Sequence, residues 1–279
     1  MRIVSSGKVL NSSEFYEKKK KIRKIKIIFS LILIFILLCL YVYTSRLERF
    51  LISEVTVEGE NIVDRGEIID TAKMVIDGKY LWLIPRSNTF VYPKTYLKDT
   101  LLSSFPRIKI LDIETESLKN LILTITEHVP FALYCTQFSN LNDFSNCYFL
   151  NDEGYIFAEA PTFSNAVYFI YTNEEITESP ISKSFSSLEI FQELEDFKES
   201  LEDFGLSLSG LKSSKEEYKF FLSNGGELIW SNKSDLNLVY SNLEAFISSE
   251  TVKNQEDFFE KLESIDLRTD NKVFYRLHQ

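Results

Sequence analysis

From Ile27 to Ser45 the chain reads IIFSLILIFILLCLYVYTS, nineteen residues without a charge, and thirteen of the first seventeen are Leu, Ile, Phe or Val. As a helix this run spans roughly 28 Å at about 1.5 Å per residue, the thickness of a bilayer core. At about −0.3 to −0.6 kcal/mol for each Leu, Ile, Phe or Val at mid-membrane, insertion is favoured by several kcal/mol. The run is longer than the apolar region of a cleaved signal and passes into Tyr41, Val42 and Tyr43 without a small-x-small cleavage site, so it is expected to be retained. Cys39 follows the bulky Leu38, where a lipid-attachment signal needs a small residue, and reads as one more apolar membrane-core side chain.

Beyond the span the periodicity changes. Ile52 to Glu58 alternates Val55 and Val57 with polar neighbours and predicts a strand, with Gly59-Glu60-Asn61 as its turn. Asp64 stands three residues before Glu67, a reciprocal capping arrangement, and Ile68, Ala72, Val75 and Ile76 follow at helical spacing up to Gly78. A second helix is predicted from about Pro93 to Ser104, with Leu97, Leu101 and Phe105 on one side and Pro106 as its stop. Two strands follow, the first beginning with Ile108, Ile110 and Leu111, the second carrying Leu121, Leu123 and Ile125, with Ser117 to Asn120 between them.

The remainder is rich in strand pattern, at Phe131 to Thr136, Cys147 to Leu150, Tyr155 to Ala158 and Val167 to Tyr171. One long helix interrupts it, from Leu188 to Phe204, with Ile190, Leu194, Phe197, Leu201 and Phe204 as its apolar stripe and Gly205 as its cap. Its acidic face reads as a solvated surface. Tyr218 to Leu222 and Glu227 to Trp230 form a hairpin across Ser223-Asn224-Gly225-Gly226. Helical spacing returns at Leu236, Val239, Leu243 and Phe246, followed by Phe258, Phe259 and Leu262.

Charge separates the two sides of the apolar run. Residues 1–26 carry nine Lys or Arg against Glu14 and Glu17, a net of +7, and the rest of the chain carries −17. A basic stretch from Lys18 to Lys26 beside an apolar nineteen-residue run reads as a positive-inside determinant rather than a nucleic-acid patch, which puts the N-terminus in the cytoplasm and residues 46–279 outside. Composition narrows the chemistry. The two histidines, His128 and His278, stand far apart, no Cys pair has ligand spacing, and G-x-S-x-G, H-E-x-x-H and phosphate-loop motifs are absent. No catalytic, cofactor-binding or metal-binding residues are therefore assigned, neither a small-molecule substrate nor a nucleic acid is expected, and a binding module is favoured over an enzyme.

The order β-α-α-β-β directly after a membrane helix, with Ile52-Ser53-Glu54-Val55-Thr56-Val57-Glu58-Gly59, the junction Phe105-Pro106-Arg107-Ile108 and the stretch Thr124-Ile125-Thr126-Glu127-His128-Val129-Pro130-Phe131-Ala132, resembles the POTRA domain of the bacterial division proteins FtsQ and DivIB. In that family the last stretch usually has Arg where this chain has His128. Asn151-Asp152-Glu153-Gly154-Tyr155-Ile156-Phe157, the Leu222-Ser223-Asn224-Gly225-Gly226 turn and the ending from Ser264 to Arg276, with Asp266-Leu267-Arg268, are similar to the same family, so the resemblance covers residues 20–277. It implies an α+β protein: a cytoplasmic basic tail (1–26), a transmembrane helix (27–45), a POTRA domain (50–128) and a mixed, mainly antiparallel β domain with flanking helices (129–279). It further implies a scaffold in the cell membrane at the division septum that binds the bitopic partners FtsB/DivIC and FtsL and links them to septal wall synthesis. The competing class, a POTRA-containing component of a secretion or membrane-insertion system, would need a C-terminal barrel for which the chain has no room.

Two sets of residues stand out. In the last strand, period two places Val273, Tyr275 and Leu277 on one face, expected to be the core face, and Lys272, Phe274 and Arg276 on the other. From the sequence alone, the reading of Lys272 and Arg276 as guards of a sheet edge against aggregation is favoured over a second reading, the receipt of a partner. The resemblance implies the second, with Lys272, Val273, Phe274, Tyr275 and Arg276 taking a partner by strand addition. Cys135 and Cys147 end and begin two candidate neighbouring strands outside the membrane, where a disulfide and two free thiols are both compatible with the sequence.

Overall fold

The computed structural model describes residues 13–136, 146–163, 167–176, 179–253, 255, 257–270 and 272–278. It holds a mixed α+β fold with one N-terminal apolar helix and one large mixed sheet. The helix α1 (Ser13–Ser45) takes in the basic stretch as well as the uncharged run. Over Tyr16–Ser45 it is long and apolar enough to cross a membrane, and no residue of its most apolar window is buried. A helix that is apolar all round yet has no protein cover is unlike the core helix of a soluble protein.

The chain divides into two compact units, residues 1–101 with 112–124, and residues 102–111 with 125–279. After α1 the first contains a 3-10 turn (Glu48–Phe50), β1 (Glu54–Glu58), α2 (Arg65–Ile76), a small hairpin of β2 (Lys79–Tyr80) and β3 (Ile84–Pro85), and most of α3 (Lys94–Ser104). The strands β4 (Ile108–Thr115) and β5 (Asn120–Glu127) follow, in a three-stranded sheet of order β1-β5-β4 with β1 parallel to β5 and Val57 opposite Leu123. The predicted periodicities reappear as burial: Val55 and Val57 of β1, Ile68, Ala72, Val75 and Ile76 of α2, Leu97 and Leu101 of α3, and Leu121 and Leu123 of β5 are all buried. Asp64 caps α2 by accepting the Glu67 N–H at 2.9 Å, which satisfies one of the donors a helix start leaves over. In β4 the buried positions are Ile108, Leu111 and Ile113, while Ile110 faces solvent.

The second unit carries β6 (Ala132–Cys135), β7 (Cys147–Leu150), β8 (Ile156–Glu159), β9 (Ile170–Asn173), α4 (Leu188–Asp203), β10 (Leu208–Ser213), β11 (Glu217–Leu222), β12 (Glu227–Ser231), α5 (Leu236–Ile247), α6 (Glu250–Lys253), β13 (Leu262–Asp266) and β14 (Phe274–Leu277). These strands make one nine-stranded sheet in the order β14-β13-β12-β11-β10-β9-β6-β7-β8. Three neighbouring pairs, β9 with β10, β6 with β9 and β12 with β13, are parallel and the others antiparallel. The pairs β9/β10 and β12/β13 are joined by helical crossovers, α4 in one and α5 with α6 in the other. Both crossovers step the same way from parallel strands, so right-handed connection puts both helices on one face of the sheet. Phe191, Leu194, Phe197 and Leu201 of α4 and Val239 and Leu243 of α5 accordingly share one buried cluster with Phe220, Leu228, Trp230 and Ile265 of the sheet.

Three expectations are corrected. The buried residue in the first turn of α4 is Phe191, not Ile190, which is exposed. The helical spacing read through Phe258, Phe259 and Leu262 does not form a helix: Asp257 takes a left-handed φ of 64°, Phe258 and Phe259 lie in turns, and Leu262 begins β13. The last strand starts at Phe274 rather than Lys272. The alternation pattern does not predict β10, because Gly210 breaks it and the two apolar residues, Leu208 and Leu211, stand three apart rather than two.

Candidate partner-binding edge

The two ends of the large sheet differ. At one end the chain folds back onto the first residue of β8: the Ile156 N–H donates to the Lys183 carbonyl and the Ser182 N–H to the Ile156 carbonyl, both at 2.8 Å. At the other end β14 pairs with β13 on one side and has no strand on its outer side among the described residues. Backbone N–H and C=O groups alternate in direction along a strand, so part of this set points away from the sheet.

Register sets which side chains accompany that edge. Tyr275 lies opposite Ile265, Leu277 opposite Leu262, Arg276 opposite Ser264 and Phe274 opposite Asp266, with a bulge between Leu262 and Ser264. Val273 and Leu277 pack against the core from partly buried positions. Phe274 is 57% exposed, and Lys272 and Arg276 are exposed beside it on the same face. Tyr275 departs from its expected core position, being 40% exposed. One side of its ring meets Phe246 at 5.2 Å and Phe258 at 5.7 Å, but an edge strand has cover from one neighbour only, so the other side stays in solvent. Arg276 Nη1 reaches Glu263 Oε1, 3.1 Å away.

The turn that delivers β14 is stiffened by charge. Arg268 donates its backbone N–H and its Nε to Asp266 Oδ1, each at 3.0 Å, and its Nη1 to Glu217 Oε2 of β11 at 3.0 Å. The Arg268 hydrogen bonds hold the Asp266 carboxyl below its usual pKa, against the opposing effect of burial. Asn224 ties the β11–β12 turn to the start of β13: its Oδ1 accepts the Gly226 N–H at 2.8 Å, and its NH2 group faces the carbonyls of Phe259, Glu260 and Leu262. Sequence reading singled out neither Asn224 nor Glu217. The Asn-Gly-Gly turn was visible, but what its amide would reach was not. Close by, Phe204, Ile247, Val252, Phe258 and Phe259 line an apolar groove of about 440 Å³.

Cys135 and Cys147 face each other across β6 and β7 and are joined in a disulfide. Both are buried beside Leu133 and Ile170, on the sheet face opposite the helices, so the bond is a staple within the sheet. His128 is a structural residue in this unit. It is buried, stacks near Tyr155 and Phe157, and its Nδ1 lies 2.9 Å from Asn151 Nδ2. Desolvation, reinforced by the nearby Lys109 charge, lowers its pKa. Arg107 and Glu127, from the two motifs flanking it, pair at 3.1 Å, both largely buried. No cluster of three or more His, Cys, Asp or Glu residues able to hold a metal occurs among the described residues.

No protein-family model matches the chain, and no curated protein matches it at a significant level.

Proposed function

We propose that this chain is a single-span, non-catalytic scaffold of the FtsQ/DivIB type, with its basic N-terminal segment in the cytoplasm and residues 46–279 outside the membrane at the division septum. The asymmetry of charge about α1 supports the orientation. The order β1-α2-α3-β4-β5, with the small β2–β3 hairpin between the two helices, supports reading residues 50–128 as a POTRA domain that localises the protein. The second unit would hold FtsB/DivIC-like and FtsL-like bitopic partners by strand addition along β14, and through them act on septal wall synthesis.

The observation that carries this reading is the outer side of β14, uncovered among the described residues, with an exposed Phe274 between Lys272 and Arg276. Each backbone hydrogen bond gained by an incoming strand contributes roughly 0.5–1.5 kcal/mol net, so the few outward-facing groups of a four-residue strand supply part of the capture energy and the exposed Phe274 ring must supply an anchor beside them. The test is co-purification of the full-length protein with its native membrane neighbours, comparing the unaltered chain with Phe274→Asp. The substitution is at an exposed position and spares the core, and it is expected to weaken capture by about tenfold or more. Full retention of partners by a folded Phe274→Asp chain would remove β14 as the site.

A further inference from the structure

Among the described residues, the most exposed large apolar side chains are Leu81 and Trp82, at 88% and 89%, and they form the tip of the β2–β3 hairpin. Both hold left-handed backbone, with φ of 46° and 61°, and the turn is closed by the Leu83 N–H donating to the Tyr80 carbonyl at 2.9 Å. Left-handed backbone costs a non-glycine residue about 1–2 kcal/mol, whereas Asn-Gly would make the same two-residue turn at little cost. Folding of this unit gains nothing from setting two large apolar residues in strained backbone and then leaving them in water. Their use lies outside the protein.

The hairpin is fastened to the end of α1. Arg46 Nε donates to the Leu83 carbonyl at 2.9 Å and Arg46 Nη2 to the Trp82 carbonyl at 3.4 Å, while the buried Asn88 side chain donates to the Ser45 carbonyl at 3.0 Å. Arg46 is the first charged residue after the uncharged run. The tip carbonyls therefore lie within one arginine side chain of the point where the apolar helix ends. The polar layer on each side of a bilayer core is about 5–7 Å deep, close to that reach. Tyr41 and Tyr43, both exposed, stand in the last turns of α1 at the level where aromatic residues line a membrane interface. Arg46 reaches the tip carbonyls and Arg86 lies over Tyr80 of β2, Lys79 belongs to β2, and Arg49 stands in the 3-10 turn that follows α1. Two of these cations rest on rings, Arg49 on Phe50 at 4.4 Å and Arg86 on Tyr80 at 5.6 Å, and Phe50 in turn lies 5.7 Å from the exposed Phe90.

We propose that the Leu81-Trp82 hairpin is a second membrane anchor, dipping into the interfacial layer from which the C-terminal end of α1 emerges. The Trp82 ring lies at headgroup level, the Leu81 side chain reaches toward the acyl chains, and the surrounding cations meet lipid phosphates. The anchor rests on α1 spanning the bilayer and is independent of the partner proposed for β14. It makes the linkage between span and hairpin a two-point attachment, so that the residues from Arg46 to Thr89 are held against the bilayer rather than swinging from a single tether.

The chain has two tryptophans, and Trp230 is fully buried, so the difference between the unaltered protein and Trp82→Phe reports Trp82 alone. The full-length protein is reconstituted into vesicles of phosphatidylcholine and phosphatidylglycerol with brominated acyl chains, and incorporation is verified by flotation. The expected result is bromolipid quenching in the unaltered protein that is lost in Trp82→Phe, whose remaining emission comes from the buried Trp230, with Trp82 shielded from aqueous iodide. Equal bromolipid quenching in the two proteins, or full iodide access to Trp82, overturns the proposal. Shielding from iodide without bromolipid quenching also overturns it, in favour of cover by a protein or a second copy of the chain. Failure of the protein to float overturns the span itself and the anchor with it.

Discussion

Gly154 and Phe191 meet as bare backbone against ring: a Cβ placed on Gly154 would come 2.9 Å from two carbons of the Phe191 side chain. Gly154 also holds a φ of +77°. The Gly154→Ala protein thus combines a left-handed penalty with overpacking, and a loss of about 2–4 kcal/mol is expected. Denaturant unfolding of the detergent-solubilised chain measures it. A loss of only about 1 kcal/mol would mean that the ring moves aside and the backbone penalty alone remains, and a loss near zero would contradict both effects.

The same pair explains what the sequence could and could not convey. Alternation and helical spacing located β1, α2, β5 and most of α4, because each element buries one face and its pattern follows from its own geometry. Ile190 and Phe191 satisfy the helical spacing of α4 almost equally well. The choice between them is made by Gly154, thirty-seven residues earlier, whose missing side chain leaves room for a ring next to Tyr171 and Phe185. The order of the nine strands, and with it the open side of β14, depends on pairings between distant segments that no local pattern encodes. The alternation through Val273 and Tyr275 was legible. That Tyr275 would be only half covered was not, since it depends on where α5 and the Phe258 turn end relative to the edge.

The disulfide closes a short loop, with Cys135 and Cys147 twelve residues apart. In the loop-entropy account a link of this size is worth about 3 kcal/mol. The double substitution Cys135→Ala with Cys147→Ala should lower stability by about that amount and leave Phe274-dependent capture of partners intact, because the bond lies at the far end of the sheet from β14. Thiol labelling of the unfolded chain should find one reactive cysteine, Cys39, before reduction and three after it. Three labels without reductant would contradict the bond.

His128 makes stability depend on pH. Asn151 Oδ1 accepts the N–H groups of Glu153 at 3.0 Å and Tyr155 at 2.7 Å, so the Asn151 NH2 must face His128 and the imidazole Nδ1 accepts. Protonation would set two donors against each other in a buried site, in line with the lowered pKa that desolvation imposes. The unfolded chain takes up this proton near pH 6.5, the folded chain only below that value. Stability is therefore fully present above about pH 7.5 and falls as pH drops through about 6.5, by at most about 1.4 kcal/mol per pH unit, levelling off below the folded pKa. The slope between about pH 7.5 and 5.5 should flatten in His128→Gln. An unchanged slope in that variant would assign the effect to another group.

The last relationship links the hairpin turn to the edge it supports. A Cβ on Gly226 would fall 2.4 Å from the Leu262 carbonyl, so the β11–β12 turn and the start of β13 approach as bare backbone, and Asn224 bridges them through the carbonyls of Phe259, Glu260 and Leu262. Removing that amide in Asn224→Ala should cost about 1 kcal/mol or somewhat more, since it takes its donor from the part-buried Leu262 carbonyl. The loss should be local. Amide exchange is expected to rise in β13 and β14 and to stay unchanged in β6, β7 and β8, which are fastened by other bonds and by the disulfide. Partner capture should weaken in Asn224→Ala although Phe274 is untouched, whereas Phe274→Asp should weaken capture with exchange unaltered. This contrast separates holding the edge in place from contacting what binds there. If exchange in β13 and β14 does not change in Asn224→Ala, the edge is held by its ladder to β12 and by the Arg268 turn alone.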